Sequence, residues 1–141
     1  MKKKLDHTYL SSSIGLINPK EAPLFSHTIS IQDSIDALNQ CTGGAILLID
    51  ESEMLSGIFT ERDVIKKVLP ANLPFSAMVS EVMTKDPITI EMTTPIGFAL
   101  QLMSQGGFRN LPIVDENKYP IGVVSIKDIM DELVRSFVLG N

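Results

Sequence analysis

Two short segments of this chain carry residue types that could do chemistry. Each places a hydroxyl side chain three positions before an aspartate: Thr60-Glu61-Arg62-Asp63 and Ser125-Ile126-Lys127-Asp128. An ionised carboxylate only accepts hydrogen bonds, so it suits a vicinal diol that donates two. A helix opening at each segment would add unpaired backbone N–H groups and a partial positive charge, which favour a phosphate nearby. Arg62 and Lys127 supply cationic donors within the same segments. The segments also read as capping boxes, in which hydroxyl and acid satisfy the helix's own N–H groups. Such boxes prefer Glu or Gln at the third position, because Asp is shorter. The two roles can coexist, with the hydroxyl capping the helix in an empty state.

Other chemistries find little support. His7 and His27 have no ligand partners at zinc-like spacing. Cys41 is the single cysteine, which precludes an intrachain disulfide and fits a reducing compartment. Gly106-Gly107 lacks the further glycines and Lys-Ser/Thr of a phosphate loop, and reads as a turn. No paired carboxylates beside a His and no nucleophile with a base are visible, so the expectation is a non-enzyme. A net charge of -5 over 141 residues argues against a nucleic-acid surface. The composition, 44% apolar and 21% charged, is that of a globular protein. The start Lys2-Lys3-Lys4 is followed by Asp6 and His7 rather than an apolar run, and no stretch approaches the ~20 apolar residues of a membrane span. A cytoplasmic protein without membrane or nucleic-acid partners is expected.

The elements that must position these groups occur twice. Gly57-Ile58-Phe59-Thr60 answers Gly122-Val123-Val124-Ser125, and Leu48-Ile49-Asp50 answers Ile113-Val114-Asp115. Further upstream Thr28-Ile29 stands before Ser34-Ile35 as Thr89-Ile90 stands before Pro95-Ile96, which implies a first repeat shorter by one helical turn between Leu38 and Asp50. Each unit reads β-α-β-β-α. A strand (28–31; 88–92) leads to a helix opening at Asp33-Ser34 or Thr94-Pro95. A β-rich run (45–50; 110–114), a turn and a strand from Leu55 or Ile121 follow. The last helix starts at Thr60 or Ser125. In the second unit Ile126, Ile129, Met130, Leu133, Val134, Phe137 and Val138 predict one buried stripe; in the first, Pro70 ends the helix. The fold class is α/β (α+β), two such units packed with pseudo-two-fold symmetry. We divide the chain into an N-terminal arm (1–22) with no repeat counterpart and loose order, a first repeat (23–70), a connector (71–80) and a second repeat (81–141).

The two Gly-h-h-Thr/Ser-x-x-Asp segments (h, apolar), the run Phe108-Arg109-Asn110-Leu111-Pro112-Ile113-Val114-Asp115 and the lead Val82-Met83-Thr84-Lys85-Asp86-Pro87 resemble CBS domains, the paired regulatory repeats named for cystathionine β-synthase. The resemblance covers about residues 24–139. It implies two clefts between the repeats that take an adenosine-containing ligand: AMP, ADP, ATP or S-adenosylmethionine. It implies a first cleft of Thr60 and Asp63 with Thr89, Arg109, Asn110 and Lys127, and a second of Ser125 and Asp128 with Thr28, Ala45 and Arg62. The Asp would accept from ribose hydroxyls. Asn110 stands where family members often carry a basic residue or His. With Arg109 and Lys127 in it, the first cleft is expected to prefer the more phosphorylated ligand. The resemblance also implies a homodimer and a regulated protein partner, with no cofactor required. The alternative is a ligand-free interaction or scaffold module with vestigial clefts.

Overall fold

The computed structural model describes the backbone of residues 7–41 and 43–139, and side chains over 9–41 and 43–135. The first six residues of the expected arm, and the Phe137 and Val138 side chains of the expected stripe, lie outside these limits. In chain order the elements are α1 (His7–Leu10), β1 (Leu24–Ser26), α2 (Ile31–Gln40), β2 (Ala45–Ile49), β3 (Leu55–Thr60), α3 (Glu61–Asp63), a π turn (Val64–Val68), α4 (Leu69–Ala71), β4 (Thr84–Lys85), α5 (Ile96–Gly106), β5 (Asn110–Val114), β6 (Pro120–Ser125) and α6 (Ile126–Leu139). The architecture is mixed α/β, with the β-α-β-β-α order present twice.

The first sheet runs β1-β2-β3-β4, with β1 parallel to β2 and the other pairs antiparallel. The second has the same plan in reduced form. β5 and β6 are antiparallel, Ile90 adds a parallel bridge to Ile113, and Lys20 an antiparallel bridge to Val123. The halves superimpose in sequence at a constant step: Phe25 faces Leu48 as Ile90 faces Ile113, 65 positions on. No helical turn is missing from the first half. The expected alignment of Thr28 with Thr89 is therefore displaced, and the first strand lies at 24–26 rather than 28–31. Residues 27–29 form a turn into Ser30, whose hydroxyl caps α2 by accepting from the Asp33 N–H at 3.0 Å. The expected strand over 88–92 shrinks to the one bridge at Ile90.

The arm also differs from expectation. Ile14–Ile17 form a 3-10 turn, and Ile14 is fully buried in the second core with Ile96, Leu111, Val124 and Ile129. Its counterpart Val79, 65 residues later, begins the equivalent 3-10 turn and is buried in the first core with Phe59 and Val68. Each half thus receives the segment that precedes the other half's first strand. Close backbone approach at these crossings explains two glycines. A Cβ on Gly57 would lie 2.8 Å from the Thr84 carbonyl oxygen, and one on Gly122 would lie 2.9 Å from that of Lys20.

Pro70 does not end the last helix of the first half. Proline lacks an N–H and crowds the carbonyl four residues back. The chain absorbs it by a wider turn, with the Leu69 N–H bonded to the Val64 carbonyl, five residues back, and the helix continues to Ala71. The expected buried stripe of α6 is only partly buried. Ile129 is enclosed, but Met130 and Val134 are exposed, as are Ile65 and Leu69 at the matching positions.

Candidate functional site: two capped aspartates and the groups around them

Both hydroxyl–x–x–Asp segments sit where the second strand of a hairpin, β3 or β6, turns into the helix that follows it. Thr60 ends β3 in extended conformation. Its N–H and hydroxyl donate to Asp63 Oδ2 at 3.0 and 3.3 Å, and the Asp63 N–H returns a bond to Thr60 Oγ1 at 3.4 Å. Asp63 is 7% exposed. Its Oδ1 lies 3.3 Å from Lys67 Nζ, which also donates to Thr84 Oγ1 at 3.1 Å. In the second half the Ser125 N–H donates to Asp128 Oδ2 at 2.9 Å, and the Asp128 N–H to Ser125 Oγ at 3.0 Å. Asp128 is half-buried and, among the described residues, forms no ion pair. Capping is thus realised at both segments. The first carboxylate has a partner on each oxygen, and the second keeps Oδ1 without a hydrogen bond or ion pair among the described residues.

The surrounding candidates are arranged differently from the split expected above. Arg62 Nη1 donates to the Gly107 carbonyl at 2.7 Å. Gly107 closes α5 in left-handed conformation (φ 71°), so the guanidinium sits at the negative end of that helix. The contact joins Thr60–Asp63 to the entry of β5 in the other half. Strand register sets Ala45 opposite Thr60 and Asn110 opposite Ser125, each beside the hydroxyl residue of its own half. Ala45 is buried, and Asn110 Oδ1 is buried without a hydrogen-bond partner among the described residues. The exposed Arg109 accepts from the Ile126 N–H at 2.9 Å through its carbonyl. Lys127 donates to Asp131 at 2.8 Å, and this bond holds its ammonium pKa above the ordinary lysine value. Thr28 is exposed in the turn after β1, bonded to Ser26 Oγ.

Thr89 is not beside Thr60. It lines an open cavity of about 210 Å³ with Met54 and Leu55 from the first half, Val114 and Lys118 from the second, and Asp86 and Pro87 from the crossing segment. Sequence reasoning missed these neighbours, because they come from three separated segments with no shared motif. Among the described residues, no group of three His, Cys, Asp or Glu could hold a metal ion, and no helix is long and apolar enough to cross a membrane.

Residues 79–135 match the family model for the CBS domain. An uncharacterized protein of Methanopyrus kandleri is 38% identical over 121 residues, covering 85% of this chain, and the chain spans 62% of that protein's length. Among solved structures, the CBS domain pair of protein MJ0100, in complex with 5'-methylthioadenosine and S-adenosyl-L-methionine, is 26% identical with a TM-score of 0.77, covering 87% of this chain and 96% of that one. A CBS domain protein from Pyrobaculum aerophilum, complexed with AMP, shares the fold at 21% identity and a TM-score of 0.79, covering 91% of this chain and 96% of that one. The chain belongs to the CBS-domain proteins and is a tandem CBS pair.

Proposed function

We propose that this CBS pair is a regulatory sensor that binds an adenosine-containing molecule, with AMP, ADP, ATP and S-adenosylmethionine as the candidates. The observation that carries the reading is the doubled hydroxyl–x–x–Asp cap at the strand-to-helix turns, in a chain 26% identical to a pair bound to two adenosine compounds. A ribose diol can donate to the carboxylate while the helix start faces a more polar end of the ligand. Asp128, free of a described cation partner, is the more available acceptor. Asp63 must give up Lys67 or share it. Arg62 offers a route from ligand to conformation. A ligand anion that draws its guanidinium from Gly107 changes the tie between the halves, provided that the ligand binds one arrangement more tightly than the other. The boundaries at residues 22, 70 and 80 belong to the same proposal.

Two further parts of the reading concern assembly and place. Ile65 and Leu69 on the first half, and Met130 and Val134 on the second, form matched exposed apolar pairs one helical turn apart. We assign them to a homodimer interface, because a second copy presents the same pairs. A variant with Ile65→Glu and Met130→Glu is expected to run as a monomer in light scattering where the parent is a dimer, and a monomeric parent overturns the assignment. Free Cys41 suits a reducing, cytoplasmic setting.

A ligand-free scaffold is the second reading, favoured by the full occupation of Asp63 by its own chain. A thermal-shift screen with the four compounds separates the two. Ligand at 100 times its dissociation constant adds about 2.7 kcal/mol of stability. Stabilisation that Asp128→Ala removes supports the sensor; no stabilisation by any of the four supports the scaffold.

A further inference from the structure

The cavity that holds Thr89 is a separate site. It lies where the chain, having paired Thr84–Lys85 with β3, crosses to join β5 at Ile90. Leu55, at its edge, is the first residue of β3 and Thr60 the last, about 16 Å apart at the ~3.3 Å rise of a strand residue. At about 210 Å³ the space is below the roughly 300 Å³ at which pockets for drug-sized ligands begin. A small molecule suits it better than a drug-sized one.

Three features describe that occupant. Leu55 and Val114 give the cavity apolar walls contributed by both halves. Asp86 and Lys118 line the same cavity with opposite charges, yet among the described residues neither forms an ion pair, with the other or with any third group. Asp86 is also held in left-handed conformation (φ 46°), with its N–H donating to the Ser56 carbonyl at 3.2 Å. A residue before proline normally avoids helical conformations in favour of extended ones, so this outlier persists only because its surroundings enforce it. The matching positions of the other half carry no such charge pair. Glu53 occupies the same left-handed turn position as Lys118, and Glu21 matches Asp86, so both charges there are negative.

We propose that this cavity binds a free α-amino acid with an apolar side chain. Asp86 accepts from its ammonium, and Lys118 donates to its carboxylate. The side chain lies against Leu55 and Val114, and the half-buried Thr89 hydroxyl adds a hydrogen bond. Both charged residues are solvent-exposed, so the affinity is modest and the pairing of two charges provides the selectivity. No part of this depends on an adenosine ligand at the capped aspartates.

The test is a titration of isotope-labelled protein with L-leucine by two-dimensional amide NMR, with isoamylamine and 4-methylpentanoate as single-charge controls. Leucine is expected to shift the amides of Asp86, Thr89 and Lys118 saturably while leaving those of Thr60 and Ser125 in place. Each control should bind roughly threefold to fivefold more weakly, as for the loss of one exposed ion pair. Asp86→Asn and Lys118→Ala, both surface changes with spectra otherwise retained, should each weaken leucine to a similar degree. The proposal is overturned if leucine produces no saturable shift, if either control binds as well as leucine, or if neither variant changes the leucine curve.

Discussion

Replacing Asp63 by Ala should cost more stability than replacing Asp128 by Ala, although the two residues occupy the same position in their repeats. At Asp63 the change removes the acceptor for the Thr60 N–H and hydroxyl and the partner of Lys67, in a site only 7% exposed. Loss of a charge-assisted bond from a partly buried N–H is worth about 1.5–3 kcal/mol. The Lys67 pair adds at most about 1 kcal/mol, because that lysine is 41% exposed and water replaces its partner. The sum is roughly 2–4 kcal/mol. At Asp128 the carboxylate is half-buried and holds the Ser125 N–H alone, so the expected loss is about 1–2 kcal/mol, in the ordinary range of a helix cap. Urea titrations of both variants, with unchanged slope as the check on two-state behaviour, measure the difference. Equal losses, or a larger one at Asp128, refute the account of how the two carboxylates are held.

Other perturbations follow from the same packing. Gly57→Ala drives a Cβ to 2.8 Å from the Thr84 carbonyl oxygen and should cost about 1–3 kcal/mol, the usual range for overpacking, with Gly122→Ala close behind; denaturant midpoints read both. Ile14→Ala should destabilise the chain by about 2–5 kcal/mol, as for any fully buried isoleucine, although it lies in what the sequence presents as an arm. Burial first, and then Glu132, raises the Tyr9 phenol above the ordinary tyrosine range, so the neutral form is favoured in the folded chain. The associated stability is complete below the unfolded value and is lost as pH rises through the folded one. Tyr9→Phe should therefore lose less stability than the parent above pH ~10, and parallel alkaline curves for the two proteins would contradict this.

The repeat was legible because its strongest signals are short-range. Gly57 and Gly122 are required by close backbone approach, Leu48 and Ile113 by burial, and Thr60 and Ser125 by the turn from strand to helix. The first strand was misplaced because Thr28-Ile29 and Thr89-Ile90 look alike while Phe25 and Ile90, which share no obvious motif, hold the equivalent sheet positions. The exchanged segments around Ile14 and Val79 were hidden for a related reason: each packs on the half other than the one whose first strand it precedes. Pro70 was read by its local effect on a regular helix, which a π turn avoids. At the candidate site the residue types were visible, but not their partners. That Lys67 holds Asp63, that Arg62 reaches Gly107, and that Thr89 belongs to another cavity all depend on contacts between distant segments.

The proposed sensing role is tested most directly by a crystal structure of the chain grown with S-adenosylmethionine or AMP. The account predicts density for an adenosine moiety whose ribose hydroxyls lie within hydrogen-bond distance of the Asp128 or Asp63 carboxylate. A fully formed complex at another surface, or both capping pairs unchanged and bare of ligand at saturating concentration, would contradict it.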